Sequence, residues 1–202
     1  MPGEQFNMSD LTTELMVRIR VLEHELENMF EKNENKYGYF WGDGRAHFEK
    51  EMMAVHHGLK RHLAKYLLHS RLLVVMTAPV IYSVLVPLVL LDLFITLYMT
   101  ICFPIYGIPK VKRSDHLVFD RDRLKYLNIL ERLNCFYCSY ANGLCAYVTE
   151  IAARTEQHWC PIKHARRLAS PHSRYPHFFE YGDAAKYHDQ IESIRKDFGD
   201  LS

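Results

Sequence analysis

The sequence predicts a mainly α-helical protein embedded in a membrane, and two observations support this fold class. The first is an apolar segment, residues 72–107, in which Asp92 is the only formal charge. A segment of this length exceeds the roughly 18 residues that mark a membrane helix. The second is the recurrence of apolar residues every three or four positions on both sides of the segment, which indicates amphipathic helices. The chain therefore divides into an N-terminal helical arm (1–71), a membrane segment (72–107) and a C-terminal helical region (108–202).

Basic residues stand at both ends of the membrane segment. The charged residues that flank the segment most closely are all basic: Lys60, Arg61, Lys65, Arg71, Lys110, Lys112 and Arg113. Short basic flanks prefer the cytoplasmic side of a membrane, so both termini and both helical arms are expected there. A helical hairpin that reverses near Pro87 satisfies this preference and is favoured. The alternative is one long helix, kinked at Pro79 and Pro87.

Asp92 is the one polar site predicted inside the membrane segment. An acid at this depth is costly and usually faces protein, water or a partner. We expect Asp92 to lie near an interface or to pair within an oligomer. A role in moving protons or cations is the alternative, although a lone carboxylate makes no relay.

The sequence of the N-terminal arm predicts two helices separated by a loop. In the first, an apolar stripe recurs at alternating intervals of four and three: Leu15, Ile19, Leu22, Leu26 and Met29. This stripe favours packing within the chain over a free-standing coiled coil. Residues 33–44, rich in glycine and aromatic residues, are expected to form a loop. The second helix is expected to lead into the membrane, with its histidines and basic residues against anionic lipid.

The C-terminal region combines a predicted helix with a group of cysteine and histidine residues. Asp120 resembles an N-cap for the helix that leads to the first cysteine. Cys135, Cys138, Cys160 and His164 then follow in the pattern C-x2-C-x21-C-x3-H, with a turn expected at Asn142–Gly143. Two short ligand pairs joined by a longer loop are typical of a structural zinc site. No secretory signal is expected at the N-terminus, so we expect the thiols in a reducing compartment, which disfavours disulfides.

Other interpretations of these residues stay open. Cys145 can replace His164 in a four-cysteine site, and Glu156 or His158 can orient a ligand. Thiolates also suit iron, and Cys160–Pro161 resembles a short haem-contact motif. The cysteines can equally be small buried residues that pack among aromatic rings. An ion pair between Arg154 and Glu156 is expected near the site, and a last helix is expected to begin at Asp183.

The strings FPIYGIPKV, NCFYCSYANG and TEQHWCPIKHARR resemble those of a family of uncharacterised bacterial membrane proteins. The resemblance covers roughly residues 71–167 and implies a bacterial cytoplasmic membrane, but no activity. Together with the pattern of cysteines, it leads us to expect a membrane-anchored, zinc-binding scaffold or interaction protein. Its expected partners are membrane lipid and a protein or second copy of the chain, and no nucleic-acid motif occurs. The rival hypotheses are a membrane redox protein with iron or haem, and a lipid-modifying enzyme that uses Glu156 or His158.

Overall fold

The computed structural model describes residues 8–42, 45–60 and 72–201, and the protein is mainly helical. Its helices and strands are α1 (Met8–Tyr37), β1 (Tyr39–Gly42), β2 (Arg45–Phe48), α2 (Lys50–Gly58), α3 (Leu72–Ser83), α4 (Leu85–Tyr106), α5 (Ile129–Trp159) and α6 (Ala184–Ile194). The chain forms two compact units. One contains the elements from α1 to α2 together with Arg123–Tyr126, and the other contains those from α3 to α6.

The first unit contains a β-hairpin where the sequence predicted a loop. Helix α1 continues to Tyr37, and Gly38 then adopts a left-handed conformation (φ 58°) that ends it. Strands β1 and β2 pair antiparallel, with Tyr39 opposite Phe48. The loop prediction gave too little weight to the three consecutive aromatic residues after Gly38, because aromatic side chains favour strands.

The second N-terminal helix is observed over a shorter range than predicted. Helix α2 contains nine residues, and the predicted continuation through residues 61–71 lies outside the described residues. His56 is one of the predicted lipid-facing histidines, but it is 9% exposed. Its ring packs edge-on against Phe48 and Tyr126, with both centroid distances 5.0 Å. His56 is therefore a core residue of this unit.

The membrane segment does not reverse direction. Val84, between α3 and α4, keeps right-handed helical angles (φ −64°, ψ −19°), and the Leu88 N–H donates to the Val84 carbonyl at 3.3 Å. Of the two predicted arrangements, the long helix is observed, and the reversal expected near Pro87 is not. Pro87 lies in the first turn of α4, where a missing backbone N–H costs little. The helix Met76–Tyr106 is long and apolar enough to cross a membrane.

Residues 107–128 connect α4 to α5 and are called the connector. Gly107 (φ 70°) ends α4, and the Ile108 N–H donates back to the Phe103 carbonyl at 2.9 Å. The regular elements of the connector are short 3-10 turns, so the helix that Asp120 was expected to cap does not form there. Helix α5 starts instead after Asn128, whose side chain and backbone exchange hydrogen bonds with Glu131 in a capping box.

Helices α4 and α5 pack side by side and run parallel. Three contacts follow each other in the same order along both helices: Asp92 with Tyr140, Met99 with Tyr147, and Tyr106 with His158. A parallel pair requires a long return connection, which the connector provides. The core between them is completed by connector residues and by Phe198 from the C-terminal tail.

The predicted final helix is confirmed. Helix α6 begins directly after Asp183, whose side chain accepts a hydrogen bond from the Lys186 N–H at 3.2 Å. The tail is held on α5 by Arg174, which is 1% exposed. Its guanidinium donates to the Gln157 side chain, to the Asp197 carbonyl and to the Asp200 carboxylate.

Candidate functional site

The structure does not bring the four predicted zinc ligands together. Cys135 and Cys138 lie near the start of α5, whereas Cys160 directly follows its last residue. A helix rises 1.5 Å per residue, so about 33 Å separates Cys138 from Cys160. Zinc binds thiolates at about 2.3 Å, so one ion cannot join these two ends of the helix. The turn expected at Asn142–Gly143 does not form, because both residues lie inside α5.

Gly143 has a packing role instead. An ideal Cβ placed on Gly143 would lie 2.7 Å from the His116 carbonyl oxygen and 3.0 Å from the Leu117 Cα. Glycine at this position lets the connector approach α5 more closely than any side chain would permit. Helix α5 is continuous through Gly143, and the connector backbone lies against it there.

The other candidate residues have structural partners. His164 donates its backbone N–H to the Tyr175 hydroxyl at 2.8 Å. Glu156 contacts His172 at 3.0 Å, while the ring of His158 stacks on Tyr106 at 5.4 Å. Neither contact orients His164 as a ligand, so this part of the site prediction receives no support.

The prediction of an ion pair between Arg154 and Glu156 is wrong. Arg154 pairs with Glu150, one helical turn earlier, at 2.8 Å. It also donates to the Pro109 and Lys110 carbonyls at 2.8 and 3.2 Å, which anchors the start of the connector on α5.

All five cysteines are free thiols, and Cys138, Cys145 and Cys160 are exposed. Cys138 and Cys145 share one face of α5, as the seven-residue spacing predicts for a helix. Within residues 8–42, 45–60 and 72–201, no group of three or more His, Cys, Asp or Glu residues has a geometry that could hold a metal ion. These thiols are available for chemical labelling.

Asp92 is the centre of a polar network on the buried face of α4. Arg113 of the connector donates to both carboxylate oxygens, at 2.7 Å for the Nη2–Oδ2 contact. The Tyr140 hydroxyl of α5 donates to Oδ2 at 2.8 Å. Asp92 was expected to lie near an interface or to pair within an oligomer, and its observed partners lie within the same chain. One carboxylate joins α4, the connector and α5.

Within this network, the Arg113 side chain stays ionised and the Tyr140 hydroxyl stays protonated. Hydrogen bonding to Asp92 raises the pKa of Arg113 above its ordinary value. Burial and the bond to Asp92 raise the pKa of Tyr140 to about 12, so the hydroxyl keeps its proton and donates it. The charge of Arg113 balances that of the Asp92 carboxylate, and the hydrogen bonds from Arg113 and Tyr140 occupy both of its oxygens.

The opposite face of α4 is apolar and exposed. Its side chains recur every three or four residues and are between 50% and 73% exposed: Val86, Leu90, Leu93, Leu97, Ile101 and Ile105. The face extends over most of the 22-residue helix, a length of about 29 Å from Val86 to Ile105. An exposed apolar surface of this extent marks an interaction site with a protein or a membrane.

Comparison with family models, with curated proteins and with solved structures gives no match for this chain. Its function is therefore inferred from the Asp92 network and the exposed face of α4.

Proposed function

We propose that this protein is a membrane-anchored scaffold or interaction protein, attached to one leaflet of the bilayer by the exposed face of α4. The observation that carries the proposal is the division of α4 into two faces. Leu93 and Leu97 are exposed, whereas Asp92, on the other face, bonds to the connector and to α5. Lipid is the occupant that suits a face of this length without a charge.

The charges of the connector favour attachment in the membrane plane over a crossing. Arg113 is bonded to Asp92, near the middle of the apolar helix, and its neighbours Lys112 and Asp115 are exposed. A crossing helix would draw these side chains into the hydrocarbon, where each charge costs about 3 kcal/mol or more. With α4 lying in the interface, they remain in water.

The length of the helix leads to the same conclusion. Met76–Tyr106 contains 31 residues, which corresponds to about 46 Å, whereas a hydrocarbon core is about 30 Å thick. An in-plane helix has no such length limit. It also leaves both basic flanks on one side, which the positive-inside rule favours as the cytoplasmic side.

Polar groups near the apolar surface are satisfied within their own helices. The exposed Thr100 donates its hydroxyl to the Thr96 carbonyl at 2.7 Å. On α5, the exposed Asn142 and Thr149 donate to carbonyls one turn earlier, at 2.9 and 2.8 Å. A proton that is donated to the backbone of the same helix needs no water as its acceptor, which suits a surface in contact with lipid.

The proposal does not include zinc, iron or haem. The spacing of the cysteines led us to expect such a group. The proposal omits it because α5 holds Cys138 and Cys160 at opposite ends. The exposed thiols are part of the scaffold surface.

Membrane attachment can be tested by flotation of the full-length protein with vesicles that contain anionic phospholipid. Leu97→Lys places a charge on the exposed face of α4 and is expected to lower the vesicle-bound fraction. Ser114→Lys adds the same charge to the exposed connector and is expected to bind as the unaltered protein does. Equal flotation of the two variants would contradict the proposal.

The in-plane arrangement is tested separately by epitope tags at the two termini. In inverted bacterial membrane vesicles, protease is expected to remove both tags, because both termini face the cytoplasm. In spheroplasts, both tags are expected to be protected. Removal of one tag from each side would show that the helix crosses the membrane.

A further inference from the structure

The face of α1 that the sequence predicted to pack within the chain is exposed. Ile19, Leu22, Leu26 and Met29 are 49%, 63%, 54% and 61% exposed, respectively. The expected packing of this part of α1 is therefore not observed within its own compact unit. Four large apolar side chains in a row on a 30-residue helix require another explanation.

The spacing of these residues is that of a heptad repeat. Taking Ile19 as position a, the sequence fills the a positions with Thr12, Ile19, Leu26 and Asn33. The d positions are then Met8, Leu15, Leu22, Met29 and Lys36. Apolar residues occupy the central a and d positions, which is the pattern of a coiled-coil seam.

We propose that α1 pairs with α1 of a second copy of this chain, as a parallel two-stranded coiled coil. An Ile at position a with Leu at position d favours two strands. Asn33 lies at position a near the C-terminal end of the seam. In a parallel pair it faces Asn33 of the second copy, and the two amides can bond to each other.

The antiparallel arrangement is disfavoured by the same residue. It would bring Asn33 opposite the apolar N-terminal half of the second helix, near Leu15. An amide buried without a partner destabilises an interface. Asn33 therefore selects the parallel orientation as well as the register.

The charges beside the seam agree with a parallel pair. Arg18 occupies position g of one heptad, and Glu23 occupies position e of the next. In parallel coiled coils these positions of the two chains lie next to each other, so Arg18 faces Glu23 of the second copy. The opposite charges attract on both sides of the seam, because the pair is related by two-fold symmetry.

The inference does not depend on membrane attachment, because α1 belongs to the unit that does not contain α4. Its test is the mass of the full-length protein in detergent, measured by sedimentation over a range of concentrations. The unaltered protein is expected to be a dimer. Leu22→Glu puts a charge into the seam on both chains and is expected to raise the dissociation constant by about 100-fold or more.

Val21 provides a matched control. It neighbours Leu22 and is similarly exposed, at 52% compared with 63%, but it lies at position c, away from the seam. Val21→Glu is expected to dimerise as the unaltered protein does, with equal helix content by circular dichroism. A monomeric unaltered protein, or equal dimerisation of the two variants, would overturn the proposal.

Orientation is measured by oxidative cross-linking through an introduced cysteine. Met29→Cys lies far from the centre of α1, so only a parallel pair brings the two new thiols together. The expected product is a covalent dimer linked through position 29, identified by mass spectrometry of its peptides. Glu31→Cys, at position f, is the control that should not cross-link at that position. Equal cross-linking at both positions, or none at position 29, would overturn the parallel arrangement.

Discussion

Arg113 binds Asp92 through both ends of its guanidinium, which joins the connector to the only acidic residue of the membrane segment. Twenty-one positions separate the two residues in the sequence. The pair also fixes how α4 is rotated about its axis. With Asp92 facing the connector, Leu93 and Leu97 face outward, so the ion pair agrees with the rotation that exposes the apolar face of α4.

The first prediction concerns this pair. Asp92→Asn is expected to lower the free energy of unfolding by about 1–3 kcal/mol, because it leaves the charge of Arg113 without its partner. Lys112→Gln alters an exposed neighbour and is expected to change stability by less than about 0.5 kcal/mol. Denaturant unfolding in detergent measures both. If Asp92→Asn leaves the free energy of unfolding unchanged, the pair does not hold the connector in place.

The second prediction concerns the pH dependence of stability. Burial, assisted by the positive charge of Arg195, lowers the pKa of His158, and the opposing effect of Glu192 is smaller. The unfolded chain therefore takes up a proton more readily than the folded chain once the pH falls below about 6.5. The protein is expected to lose stability from pH 7.5 to 5.5. His158→Phe keeps a ring against Tyr106 and should reduce this loss in thermal melts. If His158→Phe loses stability between pH 7.5 and 5.5 as the unaltered protein does, the loss does not come from His158.

The third prediction concerns Gly143. Alanine favours a helix interior over glycine by about 1 kcal/mol, so Gly143→Ala would stabilise an uncovered helix. Here the added Cβ meets the His116 carbonyl at 2.7 Å, and we expect a net destabilisation of about 1–3 kcal/mol. At Gly58, a Cβ would meet nothing within 4 Å, so Gly58→Ala should not destabilise the protein. Chemical denaturation compares the two variants, and equal effects would be evidence against close packing of the connector.

The fourth prediction concerns the thiols. Because α5 separates Cys135 from Cys160, replacing either with Ser is expected to shift the unfolding free energy by less than about 1 kcal/mol, and the two effects should add. A zinc site shared by the two residues would instead give a large loss in either single variant and little further loss in the double variant. Calorimetric melts of the two single variants and the double variant distinguish these outcomes.

The difference between the expected zinc-ligand arrangement and the observed positions of these residues has a general cause. Cys135 and Cys138 are three positions apart, which is ligand spacing in a loop and also neighbour spacing along one side of a helix, whereas Cys160 and His164 follow the end of α5. Sequence spacing does not distinguish these cases. The continuity of α5 decides between them, because it keeps Cys138 and Cys160 at opposite ends of the helix.

Two predictions that rest on local residue patterns are confirmed. Asp183 was expected to start the last helix and does so, and the membrane segment is helical over its described length. The Asn128–Glu131 capping box was also visible in the sequence, but the prediction started the helix at Asp120 and missed it. Contacts between distant residues, such as those of Arg174 with Gln157 and Asp200, could not be predicted, because nothing near Arg174 in the sequence specifies its partners.

The parallel course of α4 and α5 has an electrostatic consequence. Each helix carries partial negative charge at its C-terminal end, and in a parallel pair the two dipoles add instead of cancelling. Both negative ends meet near Tyr106 and Trp159, where Arg154 donates to the connector carbonyls just past α4 and Arg195 donates to the His158 carbonyl at 2.9 Å. Arg195 lies in the tail, immediately after α6. The tail thus supplies a counter-charge that an antiparallel pair of helices would not need.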